Sequence, residues 1–189
     1  PDLTYEQFQR FYQRHYHPSN SYLFFYGDDH SEERLRLVDS YLADYEPIDP
    51  APPVALQPRF DSTQRFVYGY DAGADEGTNG PDAKRSYVTI NWLLNEVTDL
   101  DTTLALDVLS HILMSTQASP LRKALLDSEL GEGVIGGGYD SSYRQAIFSA
   151  GLKNIAAPDS DRVEALVLET LAGLARDGID RDMIAASLN

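Results

Sequence analysis

Apolar residues in this chain change spacing several times, and each change marks an element. Phe8, Phe11, Tyr12 and Tyr16 recur three or four apart, so residues 4–16 are predicted to form an amphipathic helix. Thr4 can cap it, with Gln7 reaching back as the second half of a capping box. His17-Pro18-Ser19-Asn20 stops the helix, because the residue before a proline is pushed out of the helical region. The unbroken apolar run Tyr22–Tyr26 then reads as a fully buried strand, closed by Gly27-Asp28. Leu35, Val38, Leu42 and Tyr45 form the stripe of a second helix over Ser31–Tyr45, with Glu32 and Glu33 complementing its N-terminal dipole.

Further along, strict alternation appears. Phe66, Tyr68 and Tyr70 alternate with Arg65, Val67 and Gly69 in Thr63–Asp71, and Val88, Ile90, Trp92 and Leu94 share a face of Ser86–Leu94. The two predicted strands flank the loop GADEGTNGPDA. A helix opens at Asp99 or Asp101 and runs to about Met114 on Leu104, Val108, Leu109 and Ile112, and Ser119-Pro120 starts another. Strands over Glu132–Tyr139 and Tyr143–Leu152 follow, joined by a turn at Asp140-Ser141-Ser142. The helix Pro158–Asp177 carries Val163, Leu166, Val167, Leu171 and Leu174 and ends at Gly178; Asp180 caps a last helix with Met183, Ile184 and Leu188. Two rounds of two strands and two helices give an α+β fold, a mostly antiparallel sheet with helices packed on one face.

Composition adds a boundary. Five of the ten prolines lie between Glu46 and Asp61, a stretch without periodicity that reads as an extended linker. The expected division is an αβα piece over 1–46, a Pro-rich linker over 47–61 and an α+β domain over 62–189. An αβα piece cannot close a core by itself, so its apolar surface is expected to be covered by another part of the protein or to remain exposed, where it is a candidate for self-association. No apolar run approaches the roughly 20 residues of a membrane-spanning helix. Cysteine is absent, which excludes disulfides and thiolate metal sites, and fits a reducing compartment. A net charge of −15 argues against nucleic-acid binding. It either keeps the surface solvated or attracts basic peptides.

Candidate chemistry is sparse. Gly131–Gly136 matches G-x-G-x-x-G, but a helix precedes it and a strand follows, the reverse of a dinucleotide site. Gly131 instead reads as a helix stop, and Gly136, Gly137 and Gly138 as a bare strand side admitting another backbone. Of the four histidines, His15 and His17 are assigned to a helix end, His111 to a hydrogen-bonded, half-buried position, and His30 to an exposed turn. No pair has the spacing of four that a helical metal site needs, so no metal ligand is assigned. No Ser-His-Asp or Cys-His set is present to assign as catalytic either. Tyr139, Tyr143 and Arg144 are the candidates for peptide contact, since Tyr and Arg are favoured in recognition surfaces.

Taken in order, Leu3-Thr4, the aromatic helix, His17-Pro18-Ser19-Asn20, the apolar run and Gly27-Asp28 resemble the middle of a pitrilysin-type (insulinase-type) zinc metallopeptidase, most closely its presequence-protease branch. Ser119-Pro120-Leu121-Arg122-Lys123-Ala124-Leu125 to Leu130-Gly131, and Gly178-Ile179-Asp180 through Met183-Ile184 to Asn189, fit the same branch. The resemblance implies a parent that hydrolyses short unfolded peptides with zinc held by a helical His-x-x-Glu-His and a later Glu. This chain lacks that motif. The resemblance therefore implies an internal, non-catalytic segment without its own cofactor: the C-terminal piece of the catalytic-domain homologue, the linker, and a second domain, truncated at its C-terminus, acting as a wall of the peptide chamber. Its partners would be the remaining domains of the parent and the peptide substrate. The compartment would be the cytoplasm for a bacterial protein and an organelle matrix otherwise. Relatives of this fold that have lost the zinc motif act as scaffolds, which gives the alternative function.

Overall fold

The computed structural model describes residues 3–49, 55–71 and 83–188, which divide into two compact units, Pro1–Ala55 and Leu56–Asn189. The predicted loop GADEGTNGPDA lies outside the described residues except for Ala83.

In the first unit, helix α1 (Tyr5–His15) carries the predicted capping box. Gln7 N donates to Thr4 Oγ1 at 3.2 Å and Thr4 N to Gln7 Oε1 at 2.8 Å. The rings of Phe8, Tyr12 and Tyr16 stack along one side at 6.5 and 5.1 Å. Pro18–Asn20 forms one 3₁₀ turn, with His17 Nδ1 accepting from Ser19 N at 3.2 Å. Helix α2 (Ser31–Leu42) stops three residues short of the predicted end at Tyr45.

Residues 22–26 depart from expectation. They are not a strand, and Tyr22, Phe24 and Tyr26 are 103%, 89% and 96% exposed. A strand exists only when a neighbour takes up its N–H and C=O groups, and no described residue pairs with this run. No described residue of this unit is buried.

The larger unit is built on a three-stranded antiparallel sheet in the order β1-β3-β2, with β1 Lys84–Glu96, β2 Gly133–Asp140 and β3 Gln145–Ala156. Helices α3 (Leu100–Ser110), α4 (Pro120–Asp127), α5 (Ser160–Asp177) and α6 (Arg181–Leu188) complete it. The core lies between the sheet and the helices: Leu121 and Leu125 of α4, Leu152 and Ile155 of β3, and Val163 and Val167 of α5 are fully buried. Val88, Ile90, Trp92 and Leu94 of β1 pack against this cluster, as their alternation predicts. The other face of β1, with Tyr87, Thr89 and Asn91, is exposed, so this is the α+β arrangement read from the sequence.

Three local expectations fail in this unit. Thr63–Asp71 forms no helix and joins no ladder, so among the described residues the first round of the predicted repeat has one strand. Phe66 and Tyr68 stay exposed, and without a buried face alternation does not specify pairing. Side chains hold the segment instead: Arg65 pairs with Asp161 and Glu164 of α5, and the Tyr70 hydroxyl donates to the Arg85 carbonyl. Second, Leu104 and Leu109 of α3 are exposed, while Ser110 is buried and Thr103 and Leu106 are half-buried. The helix continues as a π turn over His111–Ser115, which offsets the 3.6-residue stripe and buries Ile112, Leu113 and Met114 consecutively. Third, the left-handed residue after α4 is Glu129 (φ 55°) rather than Gly131.

Gly151, in the middle of β3, lies so close to β1 that a Cβ there would overlap the Val88 carbonyl. We expect Gly151→Ala to destabilise the larger unit by about 1–3 kcal/mol, the usual cost of overpacking. Urea unfolding followed by the fluorescence of Trp92, whose ring lies 5.7 Å from Phe148, checks this.

Candidate functional site

Both edge strands carry an inserted residue, β1 opposite Gln145–Ile147 and β2 opposite Ser149–Gly151. In β1, Leu93 faces Ile147 and Glu96 faces Gln145, so three steps on β1 match two on β3. In β2, Ile135 faces Gly151 and Gly138 faces Ser149, the same mismatch. Such bulges reverse the in/out alternation and re-aim the side chains beyond them. The β2 bulge depends on glycine: Gly136 and Gly138 have φ of 84° and 75°, a region closed to most side chains.

The two re-aimed side chains meet. Tyr139 Oη donates to Asn95 Oδ1 at 3.1 Å, and Asn95 Nδ2 donates to Thr103 Oγ1 of α3 at 2.9 Å and to the Glu96 carbonyl at 3.1 Å. Tyr139 N donates to the buried Ser110 Oγ at 2.8 Å. Asn95 thus joins β1, β2 and α3 through one amide, which suits an amide because it both donates and accepts.

The β2–β3 turn hangs from this junction. Arg144 Nε donates to Glu96 Oε1 at 3.0 Å, and Val97 N donates to the Arg144 carbonyl at 3.0 Å. Within the turn, Asp140 Oδ1 accepts from Ser142 N at 2.9 Å and from Ser142 Oγ at 2.5 Å. The Ser142 hydroxyl and then its N–H hold the Asp140 carboxyl below the ordinary Asp range.

The three candidate contact residues therefore differ in what they can offer. Tyr139 turns its hydroxyl inward and packs its ring on the core cluster. Arg144 is engaged by Glu96, and their side chains are 45% and 34% exposed. Tyr143, 63% exposed, is the member that presents its ring to solvent. The junction residues Asn95, Glu96 and Ser110 escaped the sequence reading. Their one signal is the polar pair Asn95-Glu96 ending an apolar strand, whereas the bulges that bring them together leave no trace in the alternation.

His15, His17 and His30 belong to the smaller unit. The His15 ring lies 4.4 Å from Phe11, and His17 edges onto Tyr45 at 5.6 Å. His30 precedes α2, and His111 is exposed rather than half-buried because the π turn carries it outward. Among the described residues no three His, Cys, Asp or Glu side chains are grouped to hold a metal ion. Among the described residues no helix is long and apolar enough to cross a membrane.

Comparison with known proteins gives a match to the family model described as the peptidase M16 inactive domain over residues 2–189. The chain is similar to presequence protease 1, chloroplastic/mitochondrial, of Arabidopsis thaliana, 41% identical over 193 residues covering 100% of this chain and 17% of that protein. It is similar to protein HypA of Clostridium perfringens, 35% identical over 190 residues (100% of this chain, 19% of the relative). It is likewise similar to the mitochondrial presequence protease of Xenopus tropicalis, 35% identical over 191 residues (100% and 18%). The chain thus spans under a fifth of the length of these relatives.

A folded-state pKa held low means that the turn's Asp140 contribution is present above the ordinary Asp value, about 3.9, and is lost as pH falls through the lowered one. Ser142→Ala removes the larger cause. NMR titration of the Asp140 carboxyl is expected to show its midpoint moving upward in that variant, with other acidic groups unmoved.

Proposed function

The chain belongs to the peptidase M16 family as its inactive domain, and on that premise we propose that it is a non-catalytic segment of a zinc-dependent metalloendopeptidase that degrades short unfolded peptides. The carrying observation is that relatives named presequence proteases align with the whole of this chain at 30–41% identity. In this reading the larger unit is a structural wall of the peptide chamber. Residues 1–46 are the closing piece of the neighbouring catalytic-domain homologue, and its remaining parts cover the exposed aromatic side of α1 and the run 22–26. Zinc and the general base belong to that homologue, where the metal would activate water for attack on a peptide carbonyl. The residues described here supply wall surface, and Tyr143 is the side chain best placed to meet a peptide.

The test uses the intact parent protein. A photo-crosslinking amino acid at position 143 is expected to capture a short basic peptide substrate under turnover, whereas the same label at the helix-side residue Leu168 captures none. Equal labelling at both positions, or none at 143, overturns the wall reading. If the −15 charge also steers basic peptides, their association rate falls steeply between about 50 and 200 mM salt, as the Debye length shortens to about 8 Å by 0.15 M. Stopped-flow fluorescence measures it, and a flat response leaves the charge a role in solvation alone.

A further inference from the structure

We propose that Asn95 is a positioning residue: through Tyr139 and Thr103 it holds the β2–β3 turn in the geometry that presents Tyr143. The proposal rests, for its functional half, on the reading that Tyr143 faces the peptide.

The geometry carries it in three steps. First, Asn95 occupies a bulge, so it projects to the helix side together with Leu94 rather than alternating away from it. Second, its partner Tyr139 is brought to the same side by an independent bulge in the other edge strand, which no regular three-stranded sheet would do. β1 and β2 are not neighbours in the sheet, since β3 lies between them, so the Asn95–Tyr139 bond is a bridge across the central strand. Third, the chain on both sides of the turn is tied to this bridge: Tyr139 is the penultimate residue of β2, while Arg144 is held by the side chain of Glu96 and the N–H of Val97, next to Asn95 in sequence. The turn between them, 141–144, is exposed and has one internal side-chain anchor, Asp140 with Ser142. Its placement against the sheet therefore comes from the end of the β2–β3 ladder, the Arg144 contacts and the bridge, which alone of the three reaches α3.

An amide is required at position 95. A carboxylate in its place would accept from Tyr139 but could donate to neither Thr103 nor the Glu96 carbonyl, and it would add a charge beside Glu96. Tyr139→Phe removes the hydroxyl alone and keeps the ring packed on the core, so this variant folds even where an Asn95 substitution does not.

The experiment compares wild type, Asn95→Asp, Tyr139→Phe and the double variant in the intact parent protein. Amide hydrogen exchange at residues 141–145 is expected to rise about five- to tenfold in each single variant, the loss of roughly one net hydrogen bond. The centre of β3 and α5 should keep their protection. The double variant should be no faster than the faster single, because Asn95→Asp breaks the Thr103–Asn95–Tyr139 chain at its Thr103 end and Tyr139→Phe breaks the same chain at its Tyr139 end. For a short basic peptide, KM should rise by a similar factor, more than kcat falls. Unchanged exchange at 141–145, or an equal rise in β3 and α5, overturns the positioning role. Faster exchange at the turn with unchanged KM instead overturns the reading that Tyr143 meets the peptide, while the bridge's hold on the turn stands.

Discussion

The close approach of β3 to β1 is the constraint on which the larger unit depends. Gly151 brings the two backbones together where any side chain would strike the Val88 carbonyl, and that contact sets the register of the long antiparallel pair. With the register set, Val88, Ile90, Trp92 and Leu94 of β1 and Phe148, Ala150 and Leu152 of β3 all point to the side where α4 and α5 lie. A slip of one residue would send this whole set to the open face. Burial of Leu152, Ile155, Val163 and Val167 then supplies the largest favourable term, each such side chain contributing about 1.5–3 kcal/mol.

The two bulges work against this regularity, and β1 also shifts register at its start, between Lys84 and Tyr87. The bulges interrupt the alternation and aim Asn95 and Tyr139 at each other. Ser110 completes the arrangement by accepting the Tyr139 N–H, and it stands at the junction of α3 with the π turn. Ser119, which reads from sequence as the cap of α4, turns its hydroxyl back instead, accepting from Thr116 N at 3.0 Å and donating to the His111 carbonyl. The irregular turn, the two bulges and the buried serines form a connected set of departures from ideal helix and strand. Such departures persist where surrounding packing over-determines them.

The smaller unit shows the opposite balance. Its local signals are strong, from the capping box of Thr4 and Gln7 to the ring stack of Phe8, Tyr12 and Tyr16, and the helices form as those signals predict. Its side chains nevertheless remain exposed. Capping and i, i+4 contacts act within one turn of the chain and can be satisfied locally. A buried strand at 22–26 needs partners along its whole length, and the described residues hold none for it.

What the sequence determined by itself is whatever short-range physics decides: the caps at Thr4 and Asp180 and, between Asp99 and Asp101, the start of α3, the stops at Pro18 and Gly178, the inward stripe of α5, the alternation of β1, and the absence of a helical zinc motif. Those patterns were enough to fix the α+β class and to carry the family resemblance. Only the tertiary structure decided which predicted strands find partners, that the π turn hands the inward face of α3 to Thr103, Leu106 and Ser110, and that Tyr139 is a bridge while Tyr143 faces solvent. The reason is the range of the interactions. A cap is fixed by residues three apart, whereas Tyr139 and Asn95 are 44 residues apart, and their meeting depends on bulges that exist only once β3 has paired with both its neighbours.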